Sequence, residues 1–273
     1  MKKKYVLVTG GGKRIGSSIC KFLALQGWQV IIHYNNSKLE AEKTLQEIEK
    51  NNGKAFLIKA DLSSTAQIEK LIPRINKKHG QLSMLINNAS IFEKDDIKSI
   101  SYDLWNKHID VNLKAPLFLS KEFANQLSKR NQGIIINFLD QSVLTYRPNF
   151  ISYSVSKNSL WYLTRSLAQA LSPNIRVCGI GPGPTLQGKR QTKKDFEVQK
   201  QVTPLGIGPD LKEINNAINF IINNNSFTGQ MLVLDGGEHL KWEETKDKKF
   251  IESVSYTHLR AHETREDLRL RVL

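Results

Sequence analysis

The chain has 273 residues, 40% of them hydrophobic, and a formal net charge of +14. That length can bury a sizeable core as one α/β domain or split in two, and there is no internal repeat, no low-complexity linker and no apolar run of about eighteen residues, which excludes a transmembrane helix. The charge admits either a nucleic-acid partner or an anionic ligand, but the lysines are scattered over helix faces and never alternate with aromatics. They are read as a Lys-, Asn- and Ile-rich composition with a local basic site for a phosphate, so neither a nucleic-acid nor a membrane partner is expected.

The start, MKKKYVLVTG, is basic and then apolar, but the apolar run Tyr5 to Val8 stops at glycines, far too short for a signal peptide. It reads as a first strand, and the protein as cytoplasmic. Gly10-Gly11-Gly12-Lys13-Arg14-Ile15-Gly16 and an apolar helix follow. Strand, glycine-rich turn and helix form the context in which backbone can approach a pyrophosphate and a helix N-terminus can hold it. Gly10, Lys13, Arg14, Ile15 and Gly16 are therefore candidate cofactor residues.

The second strand, WQVIIHYNNS, ends in His33-Tyr34-Asn35-Asn36-Ser37. NAD selectivity asks for an acid at this point to bind the ribose hydroxyls, and such an acid would repel a 2′-phosphate. Here there is none. Hydroxyl, amide and the nearby cations Lys13 and Arg14 suit a phosphate dianion, so the pattern predicts NADP, with His33, Tyr34, Asn35 and Ser37 in contact.

A helix from Lys38 to Lys50 and a strand, KAFLIK, lead to Asp61-Leu62. A third helix, which Ser63 and Ser64 can cap, runs to about His79 despite Pro73. The fourth strand, LSMLINNAS, ends in Asn87-Asn88-Ala89-Ser90, too polar for a sheet interior, with Phe92 close behind. Asp103 to Arg130 reads as one long helix with Asn112 in its interior. Pro116, four residues on, frees the Asn112 carbonyl from helix bonding, which predicts a kink or a water site.

The stretch from Ile134 to Lys157 organises the chemistry: a buried strand, a polar crossing with Asp140, Gln141 and Ser142, then a helix carrying Tyr153 and Lys157. Four residues apart on a helix, these two side chains share a face. An ammonium one turn away is expected to lower the phenol from its ordinary value near 10 toward acid/base work. Asp140 lies at the carboxyl end of the strand, where open α/β sheets hold ligands.

The sixth strand, IRVCGI, runs into Gly181-Pro182-Gly183-Pro184-Thr185, a rigid turn suited to lying against a flat ring. Residues 186–209 are polar and basic and read as a long substrate loop, a lid or disordered. Helix Leu211 to Asn223 and strand Gln230 to Leu234 complete the alternation, which predicts one doubly wound, seven-stranded parallel sheet with helices on both faces, a single-domain α/β Rossmann fold. Cys20 and Cys178 are too few for a disulfide framework or a metal site and are read as buried thiols.

After Glu252 the composition changes. Residues 253–273 are Arg- and His-rich where the body prefers Lys and Asn, and Val254 to Thr264, VSYTHLRAHET, look like a translated sequencing adapter. The domain is taken as residues 1–252, the tail as non-native, and the native gene as truncated at this junction.

TGGGKRIG (9–16), Asp61-Leu62, NNAS (87–90), Asn112, YSVSK (153–157), PGPT (182–185) and TGQMLVLDGG (228–237) together resemble the short-chain dehydrogenase/reductase family. The resemblance implies an oxidoreductase. Tyr153 would be the proton donor, Lys157 would hold the nicotinamide ribose and lower the phenol, and Asn112 would hold a water in a proton relay. It also implies cofactor contacts at Asp61, Leu62, Asn88, Ala89, Ser90, Pro182, Gly183 and Thr185, and a homo-oligomer, tetramer or dimer.

Two departures stand out: Asp140 replaces the usual Ser thirteen residues before the Tyr, and Arg14 replaces the middle glycine of the turn. Both look like the pteridine reductase branch, which includes dihydromonapterin and alternative dihydrofolate reductases. There the HY…S pattern follows strand two and an aromatic, here Phe92, stacks on the pterin. Reducing a C=N bond requires protonating a ring nitrogen, which a partly desolvated Asp140 of raised pKa could relay. The expected activity is NADPH-dependent hydride transfer to a small dihydropterin- or dihydrofolate-type substrate held by Phe92, Asp140 and Tyr153. The alternatives are a carbonyl or 3-oxoacyl reductase and an NADP-binding sensor without catalysis, against which the intact Tyr153/Lys157 pair speaks.

Overall fold

The computed structural model describes residues 4–128, 131–188 and 191–240. Seven strands form one sheet: β1 (Tyr5–Val8), β2 (Gln29–Tyr34), β3 (Lys54–Lys59), β4 (Leu82–Asn87), β5 (Gly133–Phe138), β6 (Ile175–Pro182) and β7 (Met231–Leu234). Their order is β3-β2-β1-β4-β5-β6-β7, and every pairing is parallel. Parallel neighbours need crossovers, and these are α1 (Arg14–Leu25), α2 (Lys38–Lys50), α3 (Thr65–Lys78), α4 (Tyr102–Ile109), α5 (Ala115–Gln126), α6 (Ile151–Ala170), α7 (Lys193–Gln201) and α8 (Leu211–Asn223).

Both faces of the sheet are covered, and strand alternation assigns each residue to a side. Val6, Val8, Val30, Ile32, Ile136 and Cys178 pack with Ile19 and Leu23 of α1, Ile48 of α2 and Ile214 and Ile218 of α8. Leu7, Ile31, Ile135 and Val177 pack on the other side with Leu71 and Ile75 of α3, Leu119 and Phe123 of α5 and Ala168 of α6. The chain winds outward in one direction from β1 to β3 and in the other from β4 to β7. The order therefore reverses between β1 and β4, and the carboxyl ends of these strands open a cleft. Cys20 and Cys178 are buried and unpaired.

Two expectations are corrected. The long helix from Asp103 is unbroken but not regular: α4 passes through a π turn, Asp110–Lys114, directly into α5, which ends at Gln126. The turn lies where Pro116 has no N–H to give the Asn112 carbonyl, so the helix widens by one residue there. The stretch 186–209 also holds a helix, α7, started by a Thr192–Asp195 capping box, although no residue of α7 is fully buried. Among the described residues no helix is long and apolar enough to cross a membrane. The chain divides after His239, and the tail at 253–273 lies outside the described residues.

Candidate active site

The glycine turn is shaped by close backbone approach. Gly10 has φ +61, and a Cβ on Gly16 would stand 2.2 Å from the Gly10 carbonyl oxygen, so the first turn of α1 can sit against β1 only with glycine there. Lys13, the N-cap of α1, makes no side-chain cap, which leaves the first N–H groups of the helix facing the cleft. Arg14 holds φ +54, a left-handed conformation unusual for a side chain of its size. Its guanidinium donates to the carbonyls of Gln187 at 2.8 Å and Leu186 at 3.2 Å, tying the turn to the segment after β6.

Thr9 fastens the turn to β4, a role the sequence reading missed. Its hydroxyl accepts the N–H groups of Asn88 at 2.9 Å and Ala89 at 3.0 Å. The Asn88 amide donates to the carbonyls of Thr9 at 2.9 Å and Gly10 at 3.2 Å. His33, expected to touch the cofactor, lines the cavity beside the turn, with its ring buried against the backbone. Its Nδ1 accepts the Gly10 N–H at 3.1 Å, so the ring proton is on Nε2 and donates to the Ala60 carbonyl, also at 3.1 Å. Burial drives its pKa down to about 4 and keeps the ring neutral.

Gly10, Lys13, Arg14, Ile15, Gly16, His33, Tyr34, Asn35, Ser37, Asp61, Leu62, Asn88, Ala89 and Ser90 all line one cavity of about 400 Å³. A second cavity of about 310 Å³ shares Arg14, Ile15, Asn88 and Ser90 with it and is lined by Phe92, Asp140, Tyr153, Lys157, Pro182, Gly183 and Thr185. The two form one cleft across the carboxyl ends of the strands. Gly183 is held there by its N–H to the Leu234 carbonyl at 2.8 Å, and a Cβ on it would meet the Asp235 backbone at 2.7 Å.

At the centre of the second cavity, the Tyr153 hydroxyl donates to Asp140 Oδ2 at 2.7 Å. Asp140 Oδ1 accepts the Ser142 N–H at 2.8 Å, which caps the short 3₁₀ turn Gln141–Leu144 and fixes the carboxylate. Lys157 Nζ donates to the Phe138 carbonyl at 2.8 Å and lies 5.8 Å from the Tyr153 ring centre. The expected lowering of the phenol by Lys157 is corrected. Burial, then the charge and hydrogen bond of Asp140, push Tyr153 well above its ordinary value, so it stays a protonated donor at neutral pH. Burial brings Lys157 down to about 8, against the pull of Asp140.

Phe92 is half exposed, stacked on Phe150 at 4.7 Å between centroids and set edge-on to Tyr153 at 4.6 Å. Asn112, in the π turn, is fully buried and lines neither cavity. Its amide brackets Ile91, accepting that residue's N–H at 2.8 Å and donating to its carbonyl at 2.9 Å, and donates to Ser156 Oγ on α6 at 3.1 Å. The side chain is thus a clamp between the β4 loop and α6.

A family model described as short chain dehydrogenase matches residues 4–197. The chain belongs to the short-chain dehydrogenase family. The 3-oxoacyl-[acyl-carrier-protein] reductase FabG of Staphylococcus aureus is 28% identical, over 87% of this chain and 98% of that protein. An uncharacterized oxidoreductase of Thermotoga maritima is 31% identical, over 86% of this chain and 96% of its own. Among solved structures, the FolM alternative dihydrofolate reductase 1 of Brucella canis complexed with NADP is 41% identical, with a TM-score of 0.86 over 90% of this chain and 97% of that one. Its counterpart from Brucella suis, also in complex with NADP, is 41% identical with a TM-score of 0.85 over 89% and 98%.

Against the family pattern, the glycine turn, NNAS and PGPT segments and the Tyr153/Lys157 pair all reach one cleft. The sequence reading missed two charged residues of that cleft, Arg147 and Glu238, which form an ion pair at 3.3 Å on its wall. Arg147 stands in an irregular crossing with no periodicity to mark it, and Glu238 lies just beyond the last matched motif.

Proposed function

We propose that this protein is an NADPH-dependent reductase of a dihydropterin- or dihydrofolate-type substrate. One observation carries the reading: the Tyr153 hydroxyl is hydrogen-bonded to a carboxylate, Asp140, at 2.7 Å, beside the ring of Phe92. NADPH, when bound, supplies the hydride. The cleft suits it: a glycine-built cradle, uncapped N–H groups of α1, the Lys13 and Arg14 cations and no acid among Tyr34, Asn35 and Ser37. The NADP bound by the two Brucella proteins supports the same cofactor here.

Reduction of a C=N bond moves a hydride to carbon and a proton to nitrogen. Tyr153 holds that proton, and Asp140, on the far side of the same hydrogen bond, can pass it on and be refilled from solvent. A flat ring lying on Phe92 would meet both groups. Lys157 keeps a positive charge one turn below the phenol and orients the nicotinamide ribose. A homo-oligomer and a cytoplasmic location accompany this reading, and light scattering tests the first.

A carbonyl reductase acting on 3-oxoacyl groups is the second reading, favoured by the likeness to FabG. The test is NADPH oxidation by the full chain with quinonoid and 7,8-dihydropterins, dihydrofolate and a 3-oxoacyl thioester, repeated with Asp140→Ser. Turnover of the pterins that drops about a hundredfold in the variant supports the carboxyl relay. Turnover of the thioester alone, or pterin turnover unchanged by the substitution, overturns it.

A further inference from the structure

The catalytic helix α6 is not capped by its own N-cap residue. Phe150 occupies that position, with a side chain that can accept nothing. The cap comes instead from Asp95, on the loop that carries Phe92. Its carboxylate accepts the Ser152 N–H with 3.2 Å to Oδ1 and 3.3 Å to Oδ2, and the Ser152 hydroxyl also donates to Oδ2. A carboxylate suits a helix N-terminus on charge as well as geometry.

The chain of hydrogen bonds continues to α4. His108 Nε2 accepts the Glu93 N–H at 3.2 Å, so its proton lies on Nδ1 and donates to Ser152 Oγ at 2.6 Å. Asp95, Ser152 and His108 are all buried, and the main chains of Asp95 and Phe150 meet in a parallel bridge. Aspartate, serine and histidine are the residue types of a hydrolase triad, yet here the serine hydroxyl donates to the carboxylate and not to the imidazole. It is also shut away from the cleft, so no nucleophile is presented.

What the cluster does hold is the aromatic corner of the cleft. It fixes residues 92–95 against residues 150–152, where Phe92 lies flat on Phe150 with 11° between ring planes. The His108 ring backs Tyr153 edge-on at 6.0 Å. Because Asp95 caps the helix from another segment, the N-cap position is released from that duty and can carry an aromatic ring.

We propose that Asp95, with Ser152 and His108, is a positioning residue that caps the catalytic helix from another segment of the chain and thereby sets Phe92, backed by Phe150, as the wall against which the substrate ring lies. The brace rests on the reading of Phe92 as the wall of the substrate site. It predicts a loss confined to the substrate. In Asp95→Ala, the KM of whichever substrate the wild type reduces should rise about tenfold, with the Kd for NADPH within about twofold of its original value. Amide hydrogen exchange should quicken in residues 91–96 and 150–153 and stay unchanged in β1 and the glycine turn.

Asp95→Asn keeps an acceptor for the Ser152 N–H and should recover part of the loss. Ser152→Ala keeps the N–H cap and cuts only the hydroxyl's bonds to Asp95 and His108, so it should lose less than Asp95→Ala, and these two variants carry the test if Asp95→Ala does not fold. A rise in KM matched by a weaker NADPH Kd, or exchange that quickens across the whole sheet, would make the cluster ordinary structure and overturn the proposal, as would no change in either. Should the wild type reduce neither pterin nor thioester, the reductase reading falls, and the exchange pattern with the NADPH Kd decides the brace.

Discussion

Lys157 and His33 are both buried bases, and burial lowers both, yet the consequences differ because one is needed charged and the other neutral. Lys157 loses its proton as pH rises through about 8. If its charge supports proton donation by Tyr153, kcat/KM should be level from pH 6 to 7.5 and fall about tenfold per unit above 8. Lys157→Arg keeps a charge that is not lost in this range, so the variant should be slower but without that limb. A limb surviving in the arginine variant would assign it to another group. His33 is held neutral by burial down to about 4, against an ordinary 6.5. Between those values the unfolded chain takes up a proton that the folded chain refuses. The contribution is therefore fully present above pH 6.5 and disappears as pH falls to 4, about 3 kcal/mol in all. His108 is lowered as well, chiefly by burial, and adds in the same direction. His33→Asn, which can still accept from Gly10 but loses the bond to Ala60, should be less stable at neutral pH but lose less between pH 6.5 and 4.5 in urea denaturation. An equal acid loss in both proteins would mean that His33 is not the group.

The elements that build the cleft differ in how openly the sequence announces them. The βα turn after β1 was legible, because its glycines answer a local demand: a left-handed φ at Gly10 and no room for a Cβ at Gly16. Gly16→Ala should accordingly weaken NADPH at least about tenfold, since either the turn or the helix must move, and titration of NADPH fluorescence measures it. The end of β2 was legible through what it lacks. Asn35→Asp would set a carboxylate against a 2′-phosphate, and the ratio of NADPH to NADH in kcat/KM should fall about tenfold or more. An unaltered ratio would remove Asn35 from the phosphate site. By contrast, α7 was missed because its only sequence mark is the Thr192-x-x-Asp195 box, with no buried stripe to give it period. The π turn was half legible: Pro116 foretold a kink, but not that the helix would run on through it unbroken. The Asp95–Ser152–His108 cluster was not legible at all, because its members come from three segments and no spacing relates them.

Across the whole molecule the sheet separates stability from chemistry. The cleft lies at the carboxyl ends of the strands, whereas Phe123 of α5, a bulky side chain with no exposed surface, sits against Gly133, the first residue of β5. A Cβ on Gly133 would come within 2.8 Å of that ring, which shows how closely helix and strand pack at this end. The alternation of strands with helices made the fold readable from sequence, since seven apolar runs joined by helical segments have few topologies open to them. It could not foretell which helix face would carry the densest packing, because that depends on contacts between distant segments. Phe123→Ala should therefore cost about 3–5 kcal/mol, the usual penalty for emptying a buried phenylalanine site. The cost should appear as a lower urea midpoint with an unchanged slope. At a temperature where the variant is still folded, kcat/KM and the NADPH Kd should stay close to the wild-type values, because the lost volume lies at the opposite end of β5 from Asp140. A fall in catalysis that tracks the fall in stability would show that strain does cross the sheet, and that the cleft depends on the packing beneath it as a single rigid body.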